Sequence, residues 1–379
     1  MSKHRVAEIG IGQTKHQATR GDVSMAGLLR EAAQRALADA QMTWTDIDAV
    51  VIGKAPDFFE GVMMPELFLA DALGCTGKPL FRVHTAGSVG GSTAIVASQL
   101  IQAGIHQRVL TVAFEKQSES EAMWALSLPI PFTPPLHAGA GGYFAPHVRS
   151  YIRRAKAPDH IGILVALKAH LHEPDISFDS IKESLMLWDP IRYAETCPSS
   201  DGACALVLGS EKVADDAAAE GRKPAWIQGT AMRSEPTLSA ERDTVLPLGG
   251  ALCAADVYKQ AGITNPRKDV DCVEMYVPFS WFEPMWLENL GFAEPGEGWK
   301  LTEDGVTALD GDLPVNMSGG VLCTNPIGAS GMLRFAEAAM QVRGTAGDHQ
   351  VDGARKAVGH AYGGGSQFFA MWVVGSDKP

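Results

Sequence analysis

The chain has 379 residues, 46% of them hydrophobic and 20% charged, which is the composition of a folded protein long enough for about two or three core-sized units. Its formal net charge of −12 argues against nucleic acid or an anionic membrane as the main partner. No apolar run reaches the roughly 18 residues that a membrane span needs, and the N-terminal segment lacks a signal peptide's hydrophobic region, so we expect a cytoplasmic protein.

Strands and helices alternate along the first part of the chain. Residues 6–12 and 46–53 are apolar runs typical of buried strands, and apolar residues at helical spacing fill 24–40 between them. A further helix is predicted over 92–103 and a further strand over 108–115. This alternation predicts an α/β layer fold with parallel pairing.

A glycine-dense turn, which we call the elbow, precedes the helix at 92–103. It reads His84-Thr-Ala-Gly-Ser88-Val-Gly-Gly-Ser-Thr-Ala94. Many enzymes place a nucleophile and an oxyanion site at such a turn. The elbow is therefore a candidate part of an active site, and the backbone N–H of Ser88, near a helix N-terminus, is a candidate oxyanion donor.

The alternation is interrupted at residues 118–195. This stretch holds four prolines between 129 and 135, three glycines between 139 and 142, and then helical segments. Long insertions of this kind often shape a binding site. We expect it to form a loop domain over one face of the sheet, before strands resume at 203–208 and 225–229.

The six cysteines are scattered, with no Cys-x-x-Cys pair: Cys75, Cys197, Cys204, Cys253, Cys272 and Cys323. This spacing disfavours a disulfide framework or a zinc site and fits a reducing compartment. We expect free, buried thiols and no bound metal.

The second half of the chain repeats features of the first. Residues 38–50 align without gaps on 261–273, and the glycine-rich turn and helix at 87–104 has a counterpart at 328–344. Two weak matches in the same order indicate an internal duplication. A site would then lie where strand and helix ends of both halves meet.

Six short blocks follow one another along nearly the whole chain: 88–94, 113–118, 197–203, 271–279, 316–331 and 360–365. Each block is weak alone, but the ordered set resembles the thiolase superfamily, and most closely its sterol-carrier-protein-type branch. The resemblance implies a five-layered αβαβα thiolase fold with internal duplication. It places an N-terminal half at 1–225, with the loop domain at about 118–195, and a C-terminal half at 226–379.

The chain departs from this family where the thiolase chemistry would lie. Ser88 stands at the position of the nucleophilic cysteine, and Asn325 at that of the histidine which activates it. A serine has a far higher pKa than a thiol and needs a base to attack a thioester. We therefore expect no thiolysis and assign Ser88 and Gly364 to the oxyanion and substrate pocket.

Two tyrosines, Tyr276 and Tyr362, match a pair that replaces the thiolase acid–base groups in the lipid-transfer-protein-type aldolases of steroid side-chain breakdown. This resemblance implies retro-aldol cleavage of a β-hydroxyacyl-CoA, with a steroid side chain or similar bulky acyl group. It also implies a homodimer paired through a strand near 108–115 and a small OB-fold (zinc-ribbon) protein partner. The CoA thioester is a substrate, and no permanently bound cofactor is needed.

A retro-aldol reaction needs a base for the β-hydroxyl proton and an oxyanion site for the thioester enolate. We assign catalytic roles to Tyr276, Tyr362, His360 and Asn325. One tyrosine with a depressed pKa would be the base, and the other would protonate the enolate carbon. His360 would orient or deprotonate a tyrosine, and Asn325 would donate to the thioester oxygen. Which tyrosine is the base stays open.

Two other functions stay open. One is a degenerate thiolase that transfers, or only binds, acyl-CoA or lipid; the other is a scaffold subunit that holds a partner. A tyrosine pair at the reacting centre favours the enzyme, because a binding protein needs no acid–base pair. The glycine strings do not form a Gly-x-Gly-x-x-Gly motif in a βαβ context, so a dinucleotide site is not expected.

Overall fold

The structure is a computed structural model that describes residues 4–55, 57–119, 139–170, 173, 175–237 and 241–379. Its strands are β1 (Val6–Gln13), β2 (Ala49–Lys54), β3 (Leu80–Val83), β4 (Arg108–Lys116), β5 (Met186–Trp188), β6 (Ile191–Arg192), β7 (Asp201–Ser210), β8 (Ala225–Ser234), β9 (Cys272–Glu274), β10 (Lys356–Gly363) and β11 (Phe368–Gly375). Its α-helices are α1 (Met25–Asp39), α2 (Glu66–Leu69), α3 (Val89–Gln102), α4 (Gly139–Ala155), α5 (Ile161–Ala169), α6 (Phe178–Lys182), α7 (Glu211–Ala219), α8 (Leu248–Ala261), α9 (Pro266–Asp269), α10 (Phe282–Asn289), α11 (Gly298–Glu303), α12 (Gly320–Cys323) and α13 (Ile327–Arg343).

Nine of these strands hydrogen-bond in the order β3-β2-β4-β7-β1-β8-β11-β10-β9. The pairs of β2 with β3 and β4, and of β9 with β10, are parallel, as the alternation predicts. The other pairs in this sheet are antiparallel. For β10 and β11 the reason is that a tight turn joins them, whereas parallel neighbours need a crossover connection.

The strand order repeats between the two halves. The N-terminal row β3-β2-β4-β7-β1 is matched in the C-terminal half by Val315, β9, β10, β11 and β8, because Val315 forms a parallel bridge to Val273 of β9. Each neighbouring pair has the same relative direction in both rows. The rows join where Ala7 and Glu8 of β1 pair with Trp226 and Ala225 of β8. The expected internal duplication is confirmed.

Five layers arise because the two half-sheets face each other across two central helices. Helix α3 contacts β2 and β4 of one half and β10 and β11 of the other, and α13 also touches strands of both halves. Helices α1 and α7 cover the outer face of the N-terminal sheet, and α8 covers that of the C-terminal sheet. The αβαβα fold is therefore confirmed.

Glycines allow the two central helices to approach closely. A Cβ atom at Gly90 of α3 would lie 2.5 Å from the backbone nitrogen of Met332 in α13. One at Gly331 of α13 would lie 2.8 Å from the backbone nitrogen of Gly91 in α3. No side chain fits at these distances. Helices α3 and α13 therefore meet at the centre of the molecule. They are the elbow helix and the C-terminal counterpart that the sequence repeat predicts for it.

Helix α1 shows how local sequence forms an outer layer. Its N-cap is Ser24, whose hydroxyl oxygen accepts a hydrogen bond of 3.1 Å from the N–H of Gly27. Apolar residues at helical spacing then form one buried face against the sheet: Leu28, Leu29, Ala32, Ala33, Ala36 and Leu37. The helix predicted over 24–40 is confirmed.

The strand expected to join two copies lies inside the sheet. Both sides of β4 are already paired, one to β2 and the other to β7. Among the described strands, β3 is the open edge of the N-terminal half. The expectation that two copies pair through residues 108–115 is therefore wrong, because a strand with two neighbours has no free backbone groups left for a third.

The described part of the insertion contains α4, α5, α6 and the antiparallel hairpin β5–β6. Its proline-rich segment, together with residues 171, 172 and 174, lies outside the described residues, so the loop domain at 118–195 stays a prediction. Within the part of the chain that is described, none of the helices combines the length and the apolar character needed to cross a membrane.

Candidate active site

A cavity of about 140 Å³ opens where the elbow, the end of β10 and the insertion meet. Both halves of the molecule and helix α4 contribute to its wall. The lining residues are mostly apolar: Ala55, Ala86, Gly87, Ala140, Phe144, Cys197, Tyr276, Pro278, Phe279, Asn325, Ile327, Tyr362, Gly363, Gly364 and Gly365. Four of the six predicted site residues line it, namely Tyr276, Tyr362, Asn325 and Gly364.

The two predicted tyrosines lie side by side in this cavity. Tyr276 follows β9 and Tyr362 lies in the neighbouring strand β10. Their rings are nearly perpendicular, at 84°, with centroids 5.3 Å apart, and each residue is only 3% exposed. Within the described part of the chain, the Tyr362 hydroxyl has no hydrogen-bond partner. A buried hydroxyl that lines a cavity without a partner is suited to meet a bound ligand.

Asn325 connects the groups around Tyr276. Its Oδ1 accepts hydrogen bonds from the Tyr276 hydroxyl at 3.1 Å and from the Ser330 hydroxyl at 2.7 Å. Its Nδ2 donates to Cys197 Sγ at 3.2 Å. The side chain of Gln117 donates to the Asn325 backbone carbonyl. Both the backbone and the amide of Asn325 are therefore held in place at the cavity wall.

Burial raises the pKa of both tyrosine hydroxyls above the usual value. At Tyr276 the loss of hydration is the main cause, and the neighbouring Cys197 adds to it. At Tyr362 burial is again the main cause, and the neighbouring Tyr276 adds to it. The expectation of a tyrosine with a depressed pKa is therefore wrong, because desolvation outweighs every stabilising contact. Both hydroxyls are protonated at neutral pH.

His360 lies behind Tyr362 on the same face of β10. The two rings are almost parallel, with centroids 6.5 Å apart, and His360 also packs against Trp286 and Phe369. Both ring nitrogens are buried and have no hydrogen-bond partner among the described residues. Burial lowers the pKa of His360 to about 3, so the imidazole is neutral at physiological pH.

Ser88 occupies the N-cap position of α3, but it is not among the residues that line the cavity. Its hydroxyl donates to the Thr85 carbonyl oxygen at 2.8 Å, with Thr85 Oγ1 at 3.0 Å. The elbow residues that line the cavity are Ala86 and Gly87. A Cβ at Gly363 would lie 2.5 Å from the Ser88 amide nitrogen, so a glycine there lets the end of β10 reach the elbow.

The strand that leads to Tyr276 is braced by the block at 316–331. The N–H of Met275 donates to Asn316 Oδ1 at 2.6 Å. Just before it, Glu274 forms a buried ion pair with Arg334 and accepts a hydrogen bond of 3.0 Å from the Ser318 hydroxyl. Burial raises the pKa of Glu274, and the charge of Arg334 opposes the rise. The sequence blocks at 271–279 and 316–331 therefore contact each other in the structure, and together they hold Tyr276 in place.

A buried charged cluster lies behind the wall at Ala55. Lys54 Nζ forms ion pairs with Glu60 and, at 2.9 Å, with Glu115 Oε1, and all three side chains are inaccessible to solvent. The N–H of Ala55 donates to Glu115 Oε2 at 3.0 Å. Burial and the neighbouring Glu60 raise the pKa of Glu115, while Lys54 lowers it. Two carboxyl groups thus share one ammonium and fix the cavity wall.

Sequence reasoning missed Cys197 and Ser330 as site residues. The sequence predicts only a free, buried thiol at Cys197; the thiol is free and half-buried, and it lies in the cavity wall. Burial raises its pKa to about 12, so it stays protonated. Both residues lie in blocks that carry the family resemblance, which is the one signal that marks them. Among the described residues, no group of three or more His, Cys, Asp or Glu side chains is arranged to hold a metal ion.

Comparison with known proteins agrees with this fold. Residues 230–376 match the family model "Thiolase C-terminal domain-like". The chain is 31% identical to Acetyl-CoA acetyltransferase of Methanothermobacter thermautotrophicus, over 95% of this chain and 96% of that protein. It is 28% identical to Sterol carrier protein 2 of Rattus norvegicus, over 98% of this chain and 72% of that protein. The solved structure "Ltp2-ChsH2(DUF35) aldolase" has a TM-score of 0.82 and 25% identity, covering 100% of this chain and 99% of the other.

Proposed function

We propose, from the premise that this chain belongs to the thiolase superfamily, that it cleaves a β-hydroxyacyl-CoA by a retro-aldol reaction. The single observation that carries the proposal is the buried tyrosine pair at one cavity, where the Tyr362 hydroxyl has no hydrogen-bond partner among the described residues. The similarity to a structure named as an aldolase supports it. The products are a ketone or aldehyde and a shorter acyl-CoA, and no cofactor beyond the CoA thioester takes part.

The tyrosine pair passes on one proton in this reaction. One tyrosine oxygen takes the β-hydroxyl proton as the Cα–Cβ bond breaks and the Cβ–O bond becomes a carbonyl, and in the same step it passes its own hydroxyl proton to the other tyrosine. The electron pair of the broken bond moves into the thioester as an enolate, and the other tyrosine supplies a proton to Cα. One proton enters the pair and one leaves it, so both tyrosines are neutral before and after. This fits the raised pKa of both hydroxyls.

The enolate oxygen needs donors that are in place before the reaction. We assign this role to an N–H of the Asn325 amide and to the Ser88 backbone N–H at the start of α3, where the helix dipole favours negative charge. Gly364 shapes the adjoining wall. His360 acts through Tyr362 by holding its ring, because a neutral imidazole with a pKa of about 3 is too weak a base to deprotonate it.

Acyl transfer through a covalent intermediate fits the cavity less well. The Ser88 hydroxyl donates to Thr85, and Ser88 does not line the cavity. The Cys197 thiol has a pKa raised to about 12 and contacts an amide, not a base. A nucleophile needs either a lowered pKa or an adjacent base, and neither side chain has one.

The acyl group and the partners belong to the same proposal. We assign a steroid side chain or a similarly bulky apolar acyl group, because Phe144, Phe279 and Ile327 form an apolar wall beside the tyrosines. We also assign a small OB-fold (zinc-ribbon) protein partner, since the name of the similar aldolase structure carries two components, Ltp2 and ChsH2(DUF35). A homodimer completes the assembly.

The decisive experiment is mass spectrometry of products from a panel of β-hydroxyacyl-CoA thioesters, with and without a candidate OB-fold partner. We expect a shorter acyl-CoA and a ketone or aldehyde in equal amounts. Tyr193→Phe, at an exposed tyrosine, is the matched control and should cleave like the wild type. If every thioester stays intact in the presence of the partner, the retro-aldol function is wrong, and turnover of a β-ketoacyl-CoA with free CoA would indicate acyl transfer.

A further inference from the structure

The amide of Asn325 has a limited number of free positions for hydrogen bonding. Its Oδ1 already accepts two hydrogen bonds, from Tyr276 and Ser330, and its Nδ2 already donates one, to Cys197. A carboxamide oxygen has two lone pairs and a carboxamide nitrogen has two hydrogens. One N–H therefore remains, on a residue that lines the cavity. In this orientation Asn325 offers the substrate a donor and no acceptor.

The reversed amide would have the opposite effect. The nitrogen and oxygen ends have nearly the same size, so only their hydrogen-bond partners decide which end points where. A rotation by half a turn would bring Oδ1 to the side of Cys197 and the cavity. An oxygen there would repel the developing enolate oxygen instead of stabilising it. The orientation of this amide therefore decides whether the site can stabilise the enolate.

Two side chains bracket the amide at its two ends. Ser330 is fully buried in α13 and donates to Oδ1 at 2.7 Å, although the Pro326 carbonyl oxygen at 3.2 Å offers its hydroxyl another acceptor. Cys197 enters from the segment after β6 and accepts from Nδ2. A hydroxyl or a thiol can either donate or accept, so no single one of these contacts decides the orientation. The contacts from Tyr276, Ser330 and Cys197 together hold the amide as observed.

We propose that Cys197 and Ser330 are positioning residues that hold the Asn325 amide with an N–H toward the thioester oxygen of the substrate. This inference rests on the proposed retro-aldol function. Both residues act through Asn325, and the same amide holds the Tyr276 hydroxyl, so loss of either contact disturbs the oxyanion donor and one of the two tyrosines together.

A first experiment tests the positioning without any substrate. We would label the six tyrosines with 3-fluorotyrosine and record ¹⁹F NMR spectra, assigning the Tyr276 signal from its loss in Tyr276→Phe. Cys197→Ala and Ser330→Ala should shift or broaden this signal, because its hydroxyl then meets an amide with no fixed orientation. Cys253→Ala, at a fully buried thiol that donates to Ala231 away from the cavity, is the control. A Tyr276 signal unchanged in both variants overturns the proposal, whether or not the protein cleaves a β-hydroxyacyl-CoA.

A second experiment uses a thioester that the wild type cleaves. Cys197→Ala and Ser330→Ala should each lower kcat by roughly threefold to tenfold, the range that one neutral hydrogen bond is worth, with KM little changed. Cys197→Ser, which keeps an acceptor, should restore most of the rate. In an Asn325→Leu background, Cys197→Ala should have less than about a twofold effect, because residues that act through one group are not additive. Additive losses, or no rescue by serine, would show that Cys197 does not act through Asn325.

Discussion

At the scale of single residues, the cavity brings together side chains that are neutral at physiological pH. Tyr276 and Tyr362 keep their protons because burial raises the pKa of both. His360 has no proton to give because burial lowers its pKa. Such a site suits a reaction that moves one proton from an oxygen to a carbon, since neither end state carries a net charge on the protein.

The tyrosine pair is the first residue-scale prediction. A positioned acid–base group contributes on the order of 10²–10⁴-fold, so Tyr276→Phe and Tyr362→Phe should each cut kcat by about that factor with KM little changed. The double variant should be only modestly slower than either single one, because the two hydroxyls act as a unit. Steady-state kinetics on a cleaved thioester measures this. Near-full cleavage by both single variants would remove the tyrosines from the mechanism.

Ser88 supports a second prediction at this scale. The Ser88→Cys variant should not thiolyse acetoacetyl-CoA with free CoA, because the side chain points to Thr85 and the partner position holds the amide of Asn325 instead of a base. An assay for acetyl-CoA formation checks this, with the wild type as the reference. Robust formation of acetyl-CoA by either protein would show that an activated nucleophile exists.

At the scale of elements, the site depends on how closely helices and strand ends approach one another. The α3–α13 crossing brings the elbow and the Asn325 segment together, and the glycine at 363 brings β10 against the elbow. Each approach needs a residue without a side chain, since close-packed interiors have no spare room. Glycines of this glycine-rich chain therefore lie where the two halves pack against each other.

The crossing can be tested with a matched pair of variants. Gly90→Ala should lower the free energy of unfolding by about 1–3 kcal/mol, because overpacking outweighs the better helix propensity of alanine. Gly21→Ala is the control, since its Cβ would have its nearest neighbour at 3.9 Å. Urea unfolding of both variants measures the difference. Equal stability of the two would mean that the central helices separate at little cost.

At the scale of the whole molecule, the N-terminal half leaves one edge and one apolar surface open. Strand β3 ends the sheet, and exposed apolar side chains lie near this edge: Met63, Met64, Leu67, Phe68 and Phe81. An exposed apolar patch beside an open strand edge is suited to form an interface with a second copy of the chain. We therefore propose this open edge, and not residues 108–115, as the interface of the proposed homodimer.

The dimer prediction follows from this surface. Light scattering should give the mass of a dimer at micromolar concentration, and a Leu67→Asp/Phe68→Asp variant should shift it toward the monomer. Leu185→Asp changes an equally exposed leucine on the insertion hairpin and should leave the mass unchanged. A monomeric wild type would contradict the homodimer, and a dimeric double variant would place its interface elsewhere.

Buried histidines make the stability depend on pH. Burial lowers the pKa of His16 and His147 to about 4 and of His360 to about 3. Below the unfolded-state value of about 6.5, the unfolded chain binds protons that the folded chain does not, so stability falls as pH falls. At about pH 5 one such histidine makes the free energy of unfolding about 2 kcal/mol lower than it is at neutral pH.

His360→Phe should therefore lose less stability than the wild type when the pH falls from about 7.5 to 5. Urea unfolding measures this, and His160→Gln at the surface should follow the wild type. Parallel curves for His360→Phe and the wild type would contradict this.

The sequence by itself determined the elements, the duplication and the family of the fold. Apolar periodicity and glycine placement are local signals, and they predicted α1, β2, β4 and the elbow helix close to their observed bounds. The ordered blocks identified Tyr276, Tyr362, Asn325 and Gly364, and all four line one cavity. The predictions of elements, duplication and family succeeded because they depend on residue type and order, which a sequence contains directly, whereas the catalytic roles of the four residues stay predictions.

Only the tertiary structure decided how those residues are placed and charged. It paired the Ser88 hydroxyl with Thr85, put His360 behind Tyr362, and brought Cys197 and Ser330 to the two ends of the Asn325 amide. It also raised the tyrosine pKa that the sequence led us to expect lowered, and it made β3 the open edge instead of β4. The physical reason is the same in each case. Desolvation, hydrogen-bond partners and strand neighbours all depend on segments that are far apart in the chain, and these segments take up their relative positions only when the chain folds.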